Sequence, residues 1–142
     1  MRLNRSTDIS LRILMLSAVQ DDDLLTIDHL AESLNVPRHH LAKVVQRLQH
    51  LGLLETVRGR NGGVRLTVGA PAASIGGIVR GLEGETEVVE CDAEAAVCPL
   101  IGGCRLRGAL RRAQEAFYAA LDPITVGDLA SPPTRQILLT LS

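Results

Sequence analysis

The sequence predicts a mainly α protein carrying one small β-hairpin wing, and three observations predict it. Apolar residues recur at helical spacing between capping residues, most cleanly at Leu41, Val44, Val45 and Leu48. Two short strand-like runs flank a basic, glycine-rich turn at residues 58–63. Finally, 46% of the 142 residues are hydrophobic, yet there is one Phe, one Tyr and no Trp. A core of Leu, Val, Ile and Ala suits helices packed on helices. The length fits one compact domain, or a small domain with an appendage.

Taken in order, Thr7 is expected to cap a first helix over residues 7–20, with Ile9, Ile13, Leu14 and Leu16 facing inward and Asp8 complementing the dipole in its first turn. Three consecutive aspartates, Asp21 to Asp23, end it as a solvated loop. Thr26 caps a short second helix that buries Ile27, Leu30, Ala31 and Leu34. Asn35 and Val36 make a tight turn, and Pro37 is placed at the first position of a third helix. Gly52 stops that helix. Strands are expected over 53–57 and 64–67, and Ser74 caps a helix over 74–82. Residues 105–121 carry the most periodic pattern of the chain: Leu106, Ala109, Leu110, Ala113, Phe117, Ala120 and Leu121. This helix is read as a dimerisation element, since paired half-sites call for paired readers; packing within its own chain is the alternative. One short turn over 125–130 and a tail from Ser131 with little tertiary demand complete the chain. The expected organisation is a winged helix-turn-helix domain over 1–69, a connecting helix and cysteine loop over 70–104, and the long helix with its tail over 105–142.

Two helices joined by a tight turn and followed by a basic-tipped hairpin place the third helix in the major groove of DNA and the wing on phosphate or the minor groove. Net charge is −1 overall, but residues 35–65 hold six cations against one anion, a local balance of +5. The bases fall on the two elements that should face DNA. Arg38, His39, His40, Lys43 and Arg47 lie on the outward face of the helix, and Arg58, Arg60 and Asn61 at the wing tip. The bland reading is ordinary solvated charge.

Residues 83–94, by contrast, hold six acids and no base, and they open the segment that contains every cysteine: Cys91, Cys98 and Cys104. Buried structural cysteines belong on apolar faces, whereas these sit among Glu, Asp, Gly and Pro. Their odd number opposes a closed disulfide framework. Thiolates are the preferred ligands of soft metals and iron–sulfur clusters; a thiol redox switch and incidental cysteines are the alternatives. Three thiolates leave such a site one ligand short, and all four histidines lie in the winged unit. A carboxylate, a small molecule or a group from a second subunit remain as the fourth ligand. A structural zinc would be expected to have four strong ligands, so the incomplete set favours sensing.

The opening M-R-L-N-R-S-T-D-I-S-L-R-I-L-M, the segment Q-R-L-Q-H-L-G-L-L-E, the wing R-G-R-N-G-G-V-R-L and the three-cysteine loop resemble the IscR/NsrR superfamily of iron–sulfur winged-helix repressors. The stretches E-G-E-T-E-V-V-E-C, C-P-L-I-G-G-C-R-L-R-G-A-L and A-Q-E-A-F-Y-A-A-L-D-P-I-T-V are similar to its NsrR branch. The resemblance implies a dimer that binds a palindromic operator in double-stranded DNA and senses nitric oxide, releasing DNA so that detoxification genes are transcribed. It further implies a 4Fe-4S cluster on Cys91, Cys98 and Cys104, with the fourth iron on Asp8 of the partner subunit. Arg12, one turn beyond Asp8, is expected to pair with an acid such as Glu85 once the cluster is lost. The IscR-like branch is expected to place a histidine just after the third cysteine, where this chain has Arg105-Leu106-Arg107. The six residues between Cys91 and Cys98 are one more than the usual five.

No apolar run approaches the roughly 18 residues that span a bilayer, the N-terminus does not read as a cleavable signal, and a cytoplasmic location is expected. An enzyme with a cysteine nucleophile is disfavoured, because no local histidine would activate a thiol. The other open classes are a winged-helix regulator with zinc or a thiol switch at the same cysteines, and a sensor of iron or cluster status.

Overall fold

In the computed structural model, residues 2–20, 23–84, 87–89, 91 and 98–142 are described. Helix α1 spans Arg5–Ala18, and its cap is Asn4. The Asn4 side chain accepts the Thr7 N–H at 2.8 Å. Thr7, expected to be the cap, lies inside the helix and is buried. Asn4, three residues earlier, accepts the amide of Thr7 itself and starts the helix sooner. Ile9, Ile13, Leu14 and Leu16 are buried as the periodicity predicts.

Helix α2 (Ile27–Leu34) is capped by Thr26, and Asn35 closes it in the left-handed region. Helix α3 (Arg38–His50) begins one residue later than expected, with Pro37 as its cap, and buries Leu41, Val44, Val45 and Leu48. Gly52 follows at φ +72°, a conformation that side chains disfavour and that lets the Leu53 amide turn back to the Leu48 carbonyl. Strands β1 (Leu54–Val57) and β2 (Gly63–Leu66) form an antiparallel hairpin with Glu55 opposite Arg65. Their side chains pair across it at 2.5 Å. Leu25 adds one bridge to Val64 at the hairpin's edge. A Cβ on Gly63 would stand 2.7 Å from the Leu25 carbonyl, so this approach requires glycine.

A short 3-10 turn, Ala70–Ala72, leads to α4 (Ile75–Glu83), capped by Ser74 as expected. Helix α5 covers Arg105–Leu121, the predicted range. Helix α6 (Val126–Leu129) carries a capping box from Thr125 and Asp128. The last segment departs from the expected tail: Thr134–Leu141 is a helix, α7, lying on α1 with Leu138 buried. The Ser33 hydroxyl donates to the Leu141 carbonyl at 2.7 Å. At eight residues α7 is too short to hold alone, and its order comes from packing Leu138 on the core. One continuous apolar core runs from Ile9 to Leu138. Among the described residues no helix is long and apolar enough to cross a membrane.

Candidate nucleic-acid interface and cysteine site

The stripe that buries Leu41, Val44, Val45 and Leu48 turns the opposite side of α3 outward, which leaves Arg38, His39 and Lys43 exposed. Arg38 pairs with Asp28 of α2 at 2.8 Å; both side chains are largely solvated, so the pair is easily exchanged for phosphate. His40 is half-buried, with Nε2 3.3 Å from the Ser6 hydroxyl of α1. Arg47 is turned elsewhere: its guanidinium donates to the Leu82 carbonyl at the end of α4. At the wing tip Arg58, Arg60 and Asn61 are exposed. The Gln49 side chain donates to Thr56 and ties α3 to β1.

The three cysteines are free thiols and half-buried. Cys104 is the cap of α5, its Sγ accepting the Arg107 N–H at 3.4 Å. The Cys98 amide donates to the Cys91 carbonyl at 3.2 Å, closing the loop that separates them. Arg107 also grips Glu87 through two bonds of 2.8 and 3.0 Å, which holds that carboxyl below its usual range. Burial pushes the Cys91 thiol up; Arg107 opposes this, while Cys98, Glu87 and Cys104 add to it. Cys98, Cys104 and Arg107 thus all act on the Cys91 thiol. Among the described residues no three His, Cys, Asp or Glu side chains converge as a ligand set within one chain. Asp8 is paired instead with Arg12, one turn away, at 2.9 Å. Glu85, the expected acid for Arg12, lies outside the described residues.

Several residues around this site escaped the sequence reading. Arg80 of α4 bonds Asp122 and Glu115 of α5, each at 2.6 Å, and its guanidinium lies 5.4 Å from the centre of the Tyr118 ring. Its hydrogen bond to Asp122 holds that carboxyl low. Gly76 lets the helices cross closely, since a Cβ there would stand 2.6 Å from the Tyr118 carbonyl. The residue that α5 buries is Tyr118, 5% exposed, and not the stripe: Leu106 is 64% exposed and Phe117 37%. Only Gly76, a glycine inside a helical pattern, carried a signal that could have been read.

The sequence model of the Rrf2 family, described as an iron-dependent transcriptional regulator, matches residues 3–132. The chain is 54% identical to the HTH-type transcriptional repressor NsrR of Streptomyces coelicolor, over all of this chain and 97% of that protein. It is 41% identical to the HTH-type transcriptional regulator NsrR of Geobacillus kaustophilus, over 91% of this chain and 89% of that one. The fold is similar to the crystal structure of oxidised CymR of Staphylococcus aureus, with a TM-score of 0.69 and 27% identity over 92% of this chain and 97% of that one.

Proposed function

The chain belongs to the Rrf2 family of transcriptional regulators, a class of DNA-binding proteins and not of enzymes, and from that premise we propose that it is a dimeric repressor that releases its operator in response to nitric oxide. The observation that carries this reading is the set of three free thiols flanking one helix start, Cys104 capping it, in a chain with full-length likeness to a repressor named NsrR. The unit over 1–69 reads DNA through Arg38, His39, His40 and Lys43 on α3, with Arg58, Arg60 and Asn61 of the wing on the backbone. The open stripe of α5, with Leu106 and Phe117 exposed, supports pairing with a second copy.

The donor set fits an iron–sulfur cluster: soft, unoxidised thiols, one of them at a helix N-terminus. Cys91, Cys98 and Cys104 would hold a 4Fe-4S cluster with Asp8 of the partner subunit. When bound, such a cluster supplies iron that reacts with nitric oxide. The chain's own part is electrostatic and positional. Cys104 presents its sulfur at the positive end of α5, Arg107 offsets thiolate charge, and Glu87 fixes Arg107 in place. Asp8 must exchange Arg12 for the partner's iron, which makes it the weak and replaceable member of the set.

Anaerobic purification, an absorbance spectrum and stepwise nitric oxide addition with DNA binding monitored test this reading. A cluster absorbance near roughly 400 nm that collapses together with DNA release is expected. A colourless zinc protein that binds DNA regardless of nitric oxide would leave the winged helix standing and remove the sensor. For Asp8→Ala, the expected result is weaker DNA binding or a changed rate of reaction; no change in either removes Asp8 from the ligand set.

A further inference from the structure

Arg47 lies on the helix that should read DNA, yet its guanidinium is bonded to the Leu82 carbonyl. The last four carbonyls of an α-helix lack an intrahelical donor, and Leu82 supplies one of them in α4, which ends at Glu83 with Gly84 as its cap. A cation from a neighbouring helix satisfies that carbonyl and complements the negative end of the dipole. On the adjacent residue, a Glu83 carboxylate oxygen accepts the backbone N–H of Asn4, the cap of α1, at 3.1 Å. One turn of α4 therefore joins both α3 and the start of α1.

From that turn the chain runs straight into the cysteine segment. Glu87, three residues beyond Gly84, is held by Arg107, whose own amide is capped by Cys104. A displacement of the segment that carries the cysteines thus reaches the carbonyl on which Arg47 rests within a few residues. Arg38, Lys43 and Arg47 are all exposed residues, and among the described residues Arg47 is the one of the three bonded to α4.

We propose that Arg47 is a positioning residue that ties the recognition helix to the cysteine segment through the last turn of α4, and not a phosphate contact. This rests on the reading of α3 as the DNA-reading helix. Because coupling between two sites is reciprocal, DNA held on α3 steadies the last turn of α4, and loosening of the cysteine segment loosens α3.

The test compares wild-type protein and Arg47→Gln, full length and purified anaerobically, by hydrogen–deuterium exchange with mass spectrometry. Each is measured free and with a duplex that the wild type has selected from a random-sequence library, and duplex affinity is measured against salt. In the free protein, Arg47→Gln is expected to speed exchange at the last turn of α4, including the Gly84 amide that bonds the Arg80 carbonyl. In the wild type, the duplex is expected to slow exchange over residues 80–91 about five-fold or more, the low end of ordinary coupling. That protection should vanish in Arg47→Gln while the salt slope is unchanged. A slope reduced by about one makes Arg47 a phosphate contact and overturns the proposal. Protection that persists in Arg47→Gln also overturns it. If the wild type selects no duplex, the DNA reading falls, and the free-protein comparison still decides the tie: unchanged exchange at Gly84 overturns it. Should Arg47→Gln fail to fold by circular dichroism, Arg47→Lys replaces it. Lys keeps a charge for phosphate but lacks the planar fork of the guanidinium, so lost protection with an unchanged slope is again expected, and retained protection overturns the proposal.

Discussion

Helices α3 and α5 carry apolar stripes of similar quality in sequence, and the fold treats them in opposite ways. On α3 the stripe is the core: Leu41 and Leu48 are wholly buried between α1, α2 and β1. On α5 the stripe is surface, with Leu106, Ala109, Ala113, Phe117 and Ala120 exposed and Tyr118 alone buried against α4. The winged half completes its core within one chain. The second half adds Ile75, Ile78, Val79, Leu82, Val126 and Leu138 to the same core, while α5 is tied on largely by Arg80 and Tyr118 and leaves apolar surface uncovered. The lesson is that periodicity states which residues share a face, and says nothing of whether the same chain supplies the cover.

The contrast is sharpest for one chemical change made twice. Leu48→Ala should cost about 3 kcal/mol of unfolding free energy, as transfer and cavity terms combine in a closed core. Leu106→Ala should fall within about 0.5 kcal/mol for the isolated chain. Urea titration followed by circular dichroism, at a protein concentration where the chain is monomeric, checks both; similar losses would erase the distinction. Next in size is Gly76→Ala. Its methyl group meets the Tyr118 backbone, and overpacking of this kind costs about 2 kcal/mol. Because the chain has one Tyr and no Trp, Tyr118 fluorescence reports the α4–α5 crossing directly, and an unaltered emission would show that the helices do not cross as described.

Phe117→Glu should leave helix content unchanged while halving the sedimenting mass, if α5 pairs with a second copy. A variant that sediments as the wild type does would assign the stripe another cover. The smallest effect is expected for Arg80→Gln. Asp122 is held below its ordinary value of 3.8, first by its hydrogen bond from Arg80. A depressed carboxylate contributes stability above its unfolded pKa and loses it as pH falls through the folded one. The melting difference between wild type and variant should therefore be present at neutral pH and shrink below 3.8. A difference that is constant with pH would assign Arg80's role to its contact with the Tyr118 ring.

Much of the fold was legible because its signals are local. Thr26, Ser74 and Thr125 cap the helices they precede, Gly52 stops α3, and the range of α5 was readable to the residue. The first cap was misplaced because Asn4 and Thr7 both qualify by type, and nothing local says which of them begins the helix. The cysteine segment stood out because thiols among acids and glycines fit no packing pattern, and the structure keeps all three free.

The sequence by itself determined the helices, the wing, the segregation of basic and acidic stretches, and the thiol chemistry of one segment. Caps, turn residues and periodicity act over a few residues, so they can be read without knowing the neighbours. The tertiary structure alone decided that Arg47 serves the end of α4, that Arg80 clamps α5, that Gly76 is a crossing point and that the last residues form a helix on α1. Each of these depends on two elements distant in sequence meeting at one place, and an arginine carries no mark of which of several acceptors it will find.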